Sequence, residues 1–455
     1  MSEMDEPAAR PPGVHDRAGR FVDWVRAAAP YIHAFRGRTF VIGFGGELLQ
    51  NPAQANAFAC DCNLLAALGI RLVLVHGARP QIDVELARRN RTPRFHRGLR
   101  ITDADALECV KAATSVARLE LEALLSQGLP NTPMAGAYMR VTGGNFIVAK
   151  PIGVVEGVDY QYTGTVRKVI ATEIVADLDQ ENVVLVSPIG FSPSAEVFNL
   201  SMEEVAEAVA VAIRADKLVF LYDPPGVLDA AGKLVTAITA EQAEQHLAAH
   251  RDLSEDISLY LPCCARACRN GVGRAHLIER AADGGLLLEF FTHGGVGTVI
   301  TRDPLARLRE AVAEDVGAIV GIIAPLEEDG TLVRRGRELL EMEIERFSVL
   351  EHDGVVLGCA ALYPFSDEAS AELACLAVLP AFRRAGHAEE LLRYMEARAR
   401  RAQIKRLFVL TTRAEHWFVE RGFVAAGLDA LPRSKRELYN YQRRSKVLVK
   451  VLPPS

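Results

Sequence analysis

The sequence predicts an α/β protein of two domains: a mostly parallel sheet sandwiched between helices, then a smaller mixed α/β domain. Three observations predict this. Strand-like and helix-like runs alternate from Thr39 to about Thr301, which implies parallel strands covered on both faces. Pro304, in "RDPLARLREA", punctuates the chain. Beyond it the order changes to a helix, several successive strand runs, a helix and a strand. The boundary is placed at 302–306, giving domains 21–302 and 306–455.

The elements follow in chain order. Residues 1–20 are polar and Pro/Ala/Arg-rich, with no apolar core, so they read as a disordered tail and not a secretory signal. Residues 21–36 carry an apolar stripe interrupted by Pro30, giving one helix or two short ones. "TFVIGF" and "IRLVLVHG" are strands, each followed by a helix. "DADALECVKAATSVARLELEALLSQG" is a long helix with an Asp start and a Gly stop. "NVVLVSPIG" and "DKLVFLYDPPGVLD" are buried strands flanking the helix "SMEEVAEAVAVAIRA". In the second domain "AEDVGAIVGIIAPLEEDG" is a helix, and "FSVLE" and "VVLGCAAL" form a hairpin around an Asp353-Gly354 turn. "AELACLAVLP", the helix "HAEELLRYMEARARRAQ" and the strand "RLFVLTT" complete it.

Composition excludes several classes. Apolar residues make up 49% and charged residues 24% of 455, with a formal charge of −6, which is ordinary for a globular protein. No global basic footprint marks nucleic acid or an anionic membrane as a partner. The longest apolar run, "GAIVGIIAPL", stops at ten residues, short of the roughly 18 needed to cross a bilayer. Eight cysteines without a C-x-x-C pair are too sparse for a disulfide scaffold and read as free thiols in a reducing cytoplasm. No metal is expected, because the Cys263/Cys264/Cys268 cluster lacks a nearby histidine pair.

The most informative stretch is "ELACLAVLPAFRRAGHAEELLRYM". A strand ends at Pro380, and Arg383-Arg384-Ala385-Gly386-His387-Ala388 opens a helix. Consecutive N–H groups beside two arginines suit a pyrophosphate. Arg383, Gly386 and Ala388 fit [QR]-x-x-G-x-[GA], so the segment resembles the acetyl-CoA signature of GCN5-related acyltransferases. "RLFVLTT" and "AEHWFVERGF" follow in that family's order. One position departs: where the family closes with a tyrosine able to protonate the CoA thiolate, Phe418 stands, and a phenyl ring has no proton to give.

Acetyl transfer to an amine needs a base, a donor to the developing oxyanion and an acid for sulfur. Glu372, in "ELACLAV", is the candidate base, and the backbone N–H of Cys375 the candidate oxyanion donor. Thr411 is the candidate acid, with Tyr439 and Tyr441 as rivals. Clustered arginines imply an acidic acceptor: Arg334, Arg335 and Arg337 after the first helix, and Arg443, Arg444 and Lys446 near the end.

"LVRRGRELLEMEI", "ACLAV", "LFVLTTRAEHWFVERGF", "LPRSK" and "YNYQRRSKVLV", with "GARPQID", "GVDYQYTG", "FNLSMEEVA" and "HLIERAADGGLLLEFFTHGGVGT", together resemble the N-acetylglutamate synthase family over about residues 21–455. The resemblance implies an amino-acid-kinase-like domain followed by a GCN5-related N-acetyltransferase domain. It implies acetyl-CoA and L-glutamate as substrates and L-arginine as effector. For site residues it implies Arg335 and one of Arg443 or Arg444 on the glutamate carboxylates, Glu372 as base and Thr411 near sulfur. It also implies backbone contacts to CoA from Cys375, Leu376, Ala377 and Val378 and from Arg383, Arg384, Gly386, His387 and Ala388. The arginine positions it implies are Tyr31, Lys217, Glu289, Gly295 and Gly297. A homo-oligomer, as large as a hexamer, is implied through the N-terminal helix; Phe21, Val22, Trp24 and Val25 equally suit an intrachain face.

The first domain is expected not to phosphorylate. Kinases of this type close their first strand with Lys-x-Gly-Gly, and here it reads Gly43-Phe44-Gly45-Gly46. The second glycine loop is His76-Gly77-Ala78-Arg79, and a later lysine aligns loosely with Arg266. Glu203 keeps a carboxylate. A missing preorganised cation removes several kcal/mol of transition-state stabilisation.

Overall fold

The computed structural model describes residues 14–126, 139–229, 231–249, 254–292, 295–352, 355–383, 386–437, 439–441 and 443–453. It divides into two compact units, Met1–Asp303 and Pro304–Ser455. Strands are numbered below for the two large sheets only.

The first unit is built on β1 (Thr39–Phe44), β2 (Arg71–His76), β3 (Val141–Thr142), β4 (Val183–Val186), β5 (Lys217–Tyr222), β6 (Ala237–Thr239), β7 (Arg274–Glu279) and β8 (Thr298–Thr301). Their order across the sheet is β6-β8-β7-β5-β1-β2-β4-β3. Every neighbouring pair is parallel except β7–β8. Central strands are apolar throughout because both faces are covered: Phe40, Val41 and Ile42 have no exposed surface. Two apolar clusters, one on each side, contain Val41 and Phe220 in one and Phe40, Ile42 and Phe290 in the other.

The N-terminal helix runs unbroken from Val14 to Phe35 with Pro30 inside it. It therefore starts within the stretch expected to be a tail. Once the apolar stripe supports a helix, adding polar residues at its end costs little, since each adds a hydrogen bond. The rest of that stretch, residues 1–13, lies outside the described residues. Helix Ala104–Leu125 begins as expected, with the Asp103 carboxylate accepting from Ala106 N–H at 2.9 Å. Its expected glycine stop lies outside the described residues. A separate four-stranded sheet, formed by Ile147–Pro151, Gly164–Val169, Ile189–Phe191 and Val197–Asn199, was not legible in the sequence because its strands are short and half exposed.

The second unit has β9 (Ala306–Glu310), β10 (Phe347–His352), β11 (Val355–Phe365), β12 (Ser370–Val378), β13 (Arg406–Thr411), β14 (Val424–Ala426) and β15 (Lys446–Val451), ordered β9-β10-β11-β12-β13-β15-β14. Only β12–β13 is parallel. β10 and β11 pair antiparallel as expected, while their Asp-Gly turn lies outside the described residues. Helix Val316–Glu328 packs Ile319 and Ile323 on one face of the sheet; helix His387–Arg401 packs Leu391 and Met395 on the other.

Two irregularities shape the sheet's centre. β12 and β13 pair only from Ser370↔Arg406 to Glu372↔Phe408, yet β12 continues to Val378. From Leu373 onward the strands part. On its other side β12 shifts register opposite Cys359–Ala361, and Cys375 takes φ +52° there. A non-glycine residue held in the left-handed region inside a strand marks a bulge that re-aims the chain.

Candidate active site and effector site

The parted strands form a groove lined by Leu376, Ala377 and Val378 of β12, by Arg383, Gly386, His387 and Ala388, and by Ala414, Trp417, Phe418 and Arg421. Gly386 caps helix His387–Arg401 at φ +86°, a conformation that favours glycine. The helix's first N–H groups and its positive dipole end meet the groove. Arg383 is anchored by its Nε donating to Val378 C=O at 3.2 Å. Arg384, also expected here, lies outside the described residues. Phe418 is buried edge-on between Trp417 and Phe423, so the missing phenol has become packing. Arg421, which the motif does not signal, stacks on Trp417 with its guanidinium carbon 4.1 Å from the ring centre. These residues suit acetyl-CoA: apolar walls, free strand edges and an anion-favouring helix end.

Glu372 stands at the fork, buried with 6% of its surface exposed. Its Oε2 accepts from Lys435 Nζ at 2.6 Å. Tyr363 is its direct neighbour on β11. Tyr363 Oη donates to Glu343 at 2.9 Å and accepts from Arg335 Nε at 3.3 Å, while the Arg335 guanidinium carbon lies 5.6 Å from the Tyr363 ring centre. Burial raises the Tyr363 hydroxyl to about 12, so it stays a neutral donor. Burial works against the charge on Arg335, but Cys375, Tyr363 and Glu372 outweigh it and raise its pKa. Burial and the field of Arg335 lower the pKa of Arg443, with Glu372 opposing. Arg335, Arg443 and Glu372 therefore share one field. Arg443 is half-buried and donates to the carbonyls of Gly330 and Thr331, and its Nε has no hydrogen-bond partner; Arg444 is exposed.

Cys375 is buried next to this field, and burial raises its thiol to about 11, so the thiol stays protonated and unreactive. Thr411 ends β13, where its Oγ1 accepts from Ala414 N–H at 2.9 Å and Arg413 N–H at 3.3 Å. These bonds close a turn before the helix Glu415–Val419, and the Thr411 hydroxyl accepts in both, so it keeps its own proton to give. Tyr439 already donates to Ser445 C=O at 2.6 Å, and Tyr441 is 68% exposed. Lys435 and Tyr363 were missed by sequence reasoning. Pairing across the Ser366–Glu368 turn was the available signal for Tyr363.

In the first unit, Lys217, His276 and Glu289 form a buried chain. Lys217 Nζ lies 3.1 Å from His276 Nε2, and His276 Nδ1 lies 2.7 Å from Glu289 Oε1. Glu289 Oε2 accepts from the N–H groups of Val296 at 2.7 Å and Gly297 at 3.0 Å. Gly295 has φ +57°, and a side-chain carbon there would sit 2.6 Å from that same oxygen. Phe35, Phe40 and Phe290 surround the Lys217 ammonium at 4.9, 5.7 and 5.3 Å. Tyr31 packs on the same cluster, 6.2 Å from Phe35 between ring centres. Burial, then the charge of Arg274, bring Lys217 down to about 7, with Glu289 and Asp216 opposing. Burial and Lys217 bring His276 down to about 4. Of the five expected effector residues, Lys217 and Glu289 are the ends of this chain, Gly295 and Gly297 lie against Glu289, and Tyr31 packs on Phe35 of its lining; His276 is the unforeseen middle link. A histidine inside the buried strand "RAHLIE" was the available signal.

The cleft at the end of β1 differs. A side-chain carbon on Gly43 would fall 2.8 Å from the Phe220 ring and 3.0 Å from Met202 Sδ. Phe220, Tyr260 and Tyr222 stack behind it at 4.9 and 5.7 Å. Glu47 folds its carboxylate over Gly45 and lies 3.7 Å from Arg280. Arg266 is locked to Glu207 by two hydrogen bonds of 3.0 and 2.6 Å. Glu203 lines the cleft.

A fold of this kind, an amino-acid-kinase-like unit followed by a unit with a CoA groove, defines a two-part acetyltransferase. The amino acid kinase family matches residues 38–279, and the acetyltransferase (GNAT) family matches residues 312–423. The amino-acid acetyltransferase of Ralstonia nicotianae is 54% identical over 433 residues, covering 95% of this chain and 96% of its own. That of Azotobacter vinelandii is 50% identical over 432 residues, covering 95% and 99%. The N-acetylglutamate synthase of Neisseria gonorrhoeae, solved with coenzyme A and L-arginine, is 40% identical over 95% of this chain and 99% of its own, with a TM-score of 0.86. The chain belongs to the amino-acid acetyltransferase family.

Proposed function

We propose that this enzyme transfers the acetyl group of acetyl-CoA to the amine of L-glutamate, releasing N-acetyl-L-glutamate and CoA, and that L-arginine bound to the first unit inhibits it. The observation that carries the reading is the charge pattern at the fork. Arg335, Arg443 and Lys435 gather at Glu372; Lys435 pairs with it, and among the described residues neither arginine makes an ion pair, although Glu327 and Glu343 stand in the same field. Glutamate with a neutral amine, the form that can attack, carries two negative charges. The relative from Neisseria gonorrhoeae has also been solved with coenzyme A and N-acetyl-glutamate.

In this reading Arg335 and Arg443 hold the carboxylates, and Tyr363 keeps Arg335 in place. Glu372 takes the amine proton as nitrogen bonds to the acetyl carbon. The Cys375 N–H faces the developing oxyanion. As the carbon–sulfur bond breaks, Thr411 gives its proton to sulfur. A thiol pKa near 8.5–9 makes CoA a tolerable leaving group even without strong acid help. The CoA backbone contacts fall to Cys375–Val378 and to Arg383–Ala388.

The first unit, residues 21–302, serves as an arginine sensor built on Tyr31, Lys217, Glu289, Gly295 and Gly297. A guanidinium suits Glu289, which now holds two N–H groups and His276. Its ring-lined cleft no longer phosphorylates. Exposed Phe21, Val22, Trp24 and Val25 on the N-terminal helix support self-association, up to a hexamer. The enzyme works in the cytoplasm; no helix among the described residues is long and apolar enough to cross a membrane. The test is glutamate-dependent CoA release, with and without L-arginine, and it would also register a different amine acceptor.

A further inference from the structure

Lys435 poses a question that the acetyl-transfer reading leaves open. A base works best with its full negative charge available to the amine, and Glu372 Oε2 shares that charge with Lys435 Nζ at 2.6 Å, with side-chain exposures of 8% and 26%. Arg335 and Arg443 are held otherwise, by Tyr363 and by the carbonyls of Val333, Gly330 and Thr331. Of the three cations, Lys435 alone is tied to the base.

Glutamate arrives with its amine protonated. An ammonium seated on Glu372 would stand close to Lys435, so two cations would compete for one carboxylate. That competition is relieved if Lys435 is drawn away or neutralised. The α-carboxylate does both, because it is joined to the carbon that bears the amine and so comes to the fork with it. Lys435 reaches it with its side chain alone. Its short helix, Arg433–Glu437, is anchored by Arg433 N–H to Glu368 at 2.9 Å and by Arg436 to the carbonyls of Asp429 at 3.0 Å and Leu431 at 3.1 Å.

We propose that Lys435 is a substrate-positioning residue that neutralises Glu372 in the free enzyme and passes to the α-carboxylate of the bound amino acid, so that the acceptor itself frees the base. This rests on the acetyl-transfer reading above. It makes Lys435 a selector of α-amino acids over plain amines.

The probe is 4-aminobutyrate, which is glutamate without its α-carboxylate. Its kcat/KM is compared with that of L-glutamate in the wild-type chain, in Lys435→Arg and in Lys435→Met. The expected result is a glutamate preference that falls at least tenfold in Lys435→Met and is largely kept in Lys435→Arg. An unchanged preference in Lys435→Met overturns the inference. Because Lys435→Met leaves Glu372 unpaired and can impair folding, the double variant Glu372→Gln/Lys435→Met, which buries no lone charge, repeats the comparison with dissociation constants by calorimetry. The glutamate preference should again be at least tenfold weaker than in Glu372→Gln alone; equal preferences overturn the inference. If the wild-type chain releases no CoA with glutamate, the acetyl-transfer reading fails instead, and the two failures are distinct.

Discussion

Two glycine turns lie beside strands in this chain, one in each unit, and the side chains around them differ. At Arg383–Ala388 a strand ends, a left-handed glycine caps a fifteen-residue helix, and the neighbouring strands part to leave a groove. At Gly43–Gly46 a strand also ends in a glycine turn, but Phe220 occupies the space a side chain at position 43 would need, and the Glu47 carboxylate covers Gly45. Both keep room and positive groups, the second through Arg79 and Arg280; the second differs in having no lysine at position 43, where Phe220 packs, and in the Glu47 carboxylate over Gly45. A shared backbone device therefore says little about chemistry. What decides is which charged side chains stand around it.

The largest expected effect tests the unit that carries the first turn. Glu372→Gln should lower turnover about 10²–10⁴-fold, the range for a lost general base, while CoA affinity stays within threefold by calorimetry. Turnover near wild type would remove Glu372 as base. The next concerns the sensor. The unfolded histidine titrates near 6.5 and the native His276 near 4. The unfolded chain thus binds more protons between those values, so stability is complete above about 6.5 and lost as pH falls through 4. The loss is at most about 3 kcal/mol, from 1.4 kcal/mol per unit. Urea unfolding of the first unit at pH 7 and pH 4.5 should show a smaller difference in His276→Asn than in wild type; equal differences would contradict this.

Glu289→Ala should raise the arginine concentration for half-inhibition at least tenfold and leave uninhibited turnover intact, at a stability cost of about 1–3 kcal/mol for the unpaired N–H groups. Parallel loss of activity would make Glu289 structural. The smallest effect tests the second turn. Gly43→Lys should restore no ATP-dependent phosphorylation of N-acetylglutamate and should cost about 1–3 kcal/mol, because its side chain collides with Phe220. Phosphorylation at enzyme-like rates in this variant, or in wild type, would show that the cleft is still a kinase site.

Legibility followed range along the chain. The Arg383–Ala388 helix start is a local pattern, and the sequence displays it whole. The alternation of buried strands and helices is likewise local, and it yields the main sheet of the first unit. Lys435 and Glu372 are 63 residues apart, with β13 and β14 between them along the chain, and meet only in the folded unit. Nothing in "LPRSKREL" distinguishes that lysine from a solvated one. Phe220 reads as an ordinary residue of a buried strand until its ring is seen against Gly43. The small sheet of the first unit escaped because three- to six-residue strands with mixed exposure carry little periodicity.

The measurement that bears most directly on this account is CoA release from acetyl-CoA in the presence of L-glutamate, with L-arginine added in a second series. The account predicts release that depends on glutamate and declines as arginine rises. Release that is indifferent to glutamate, or absent with it, would contradict the central claim.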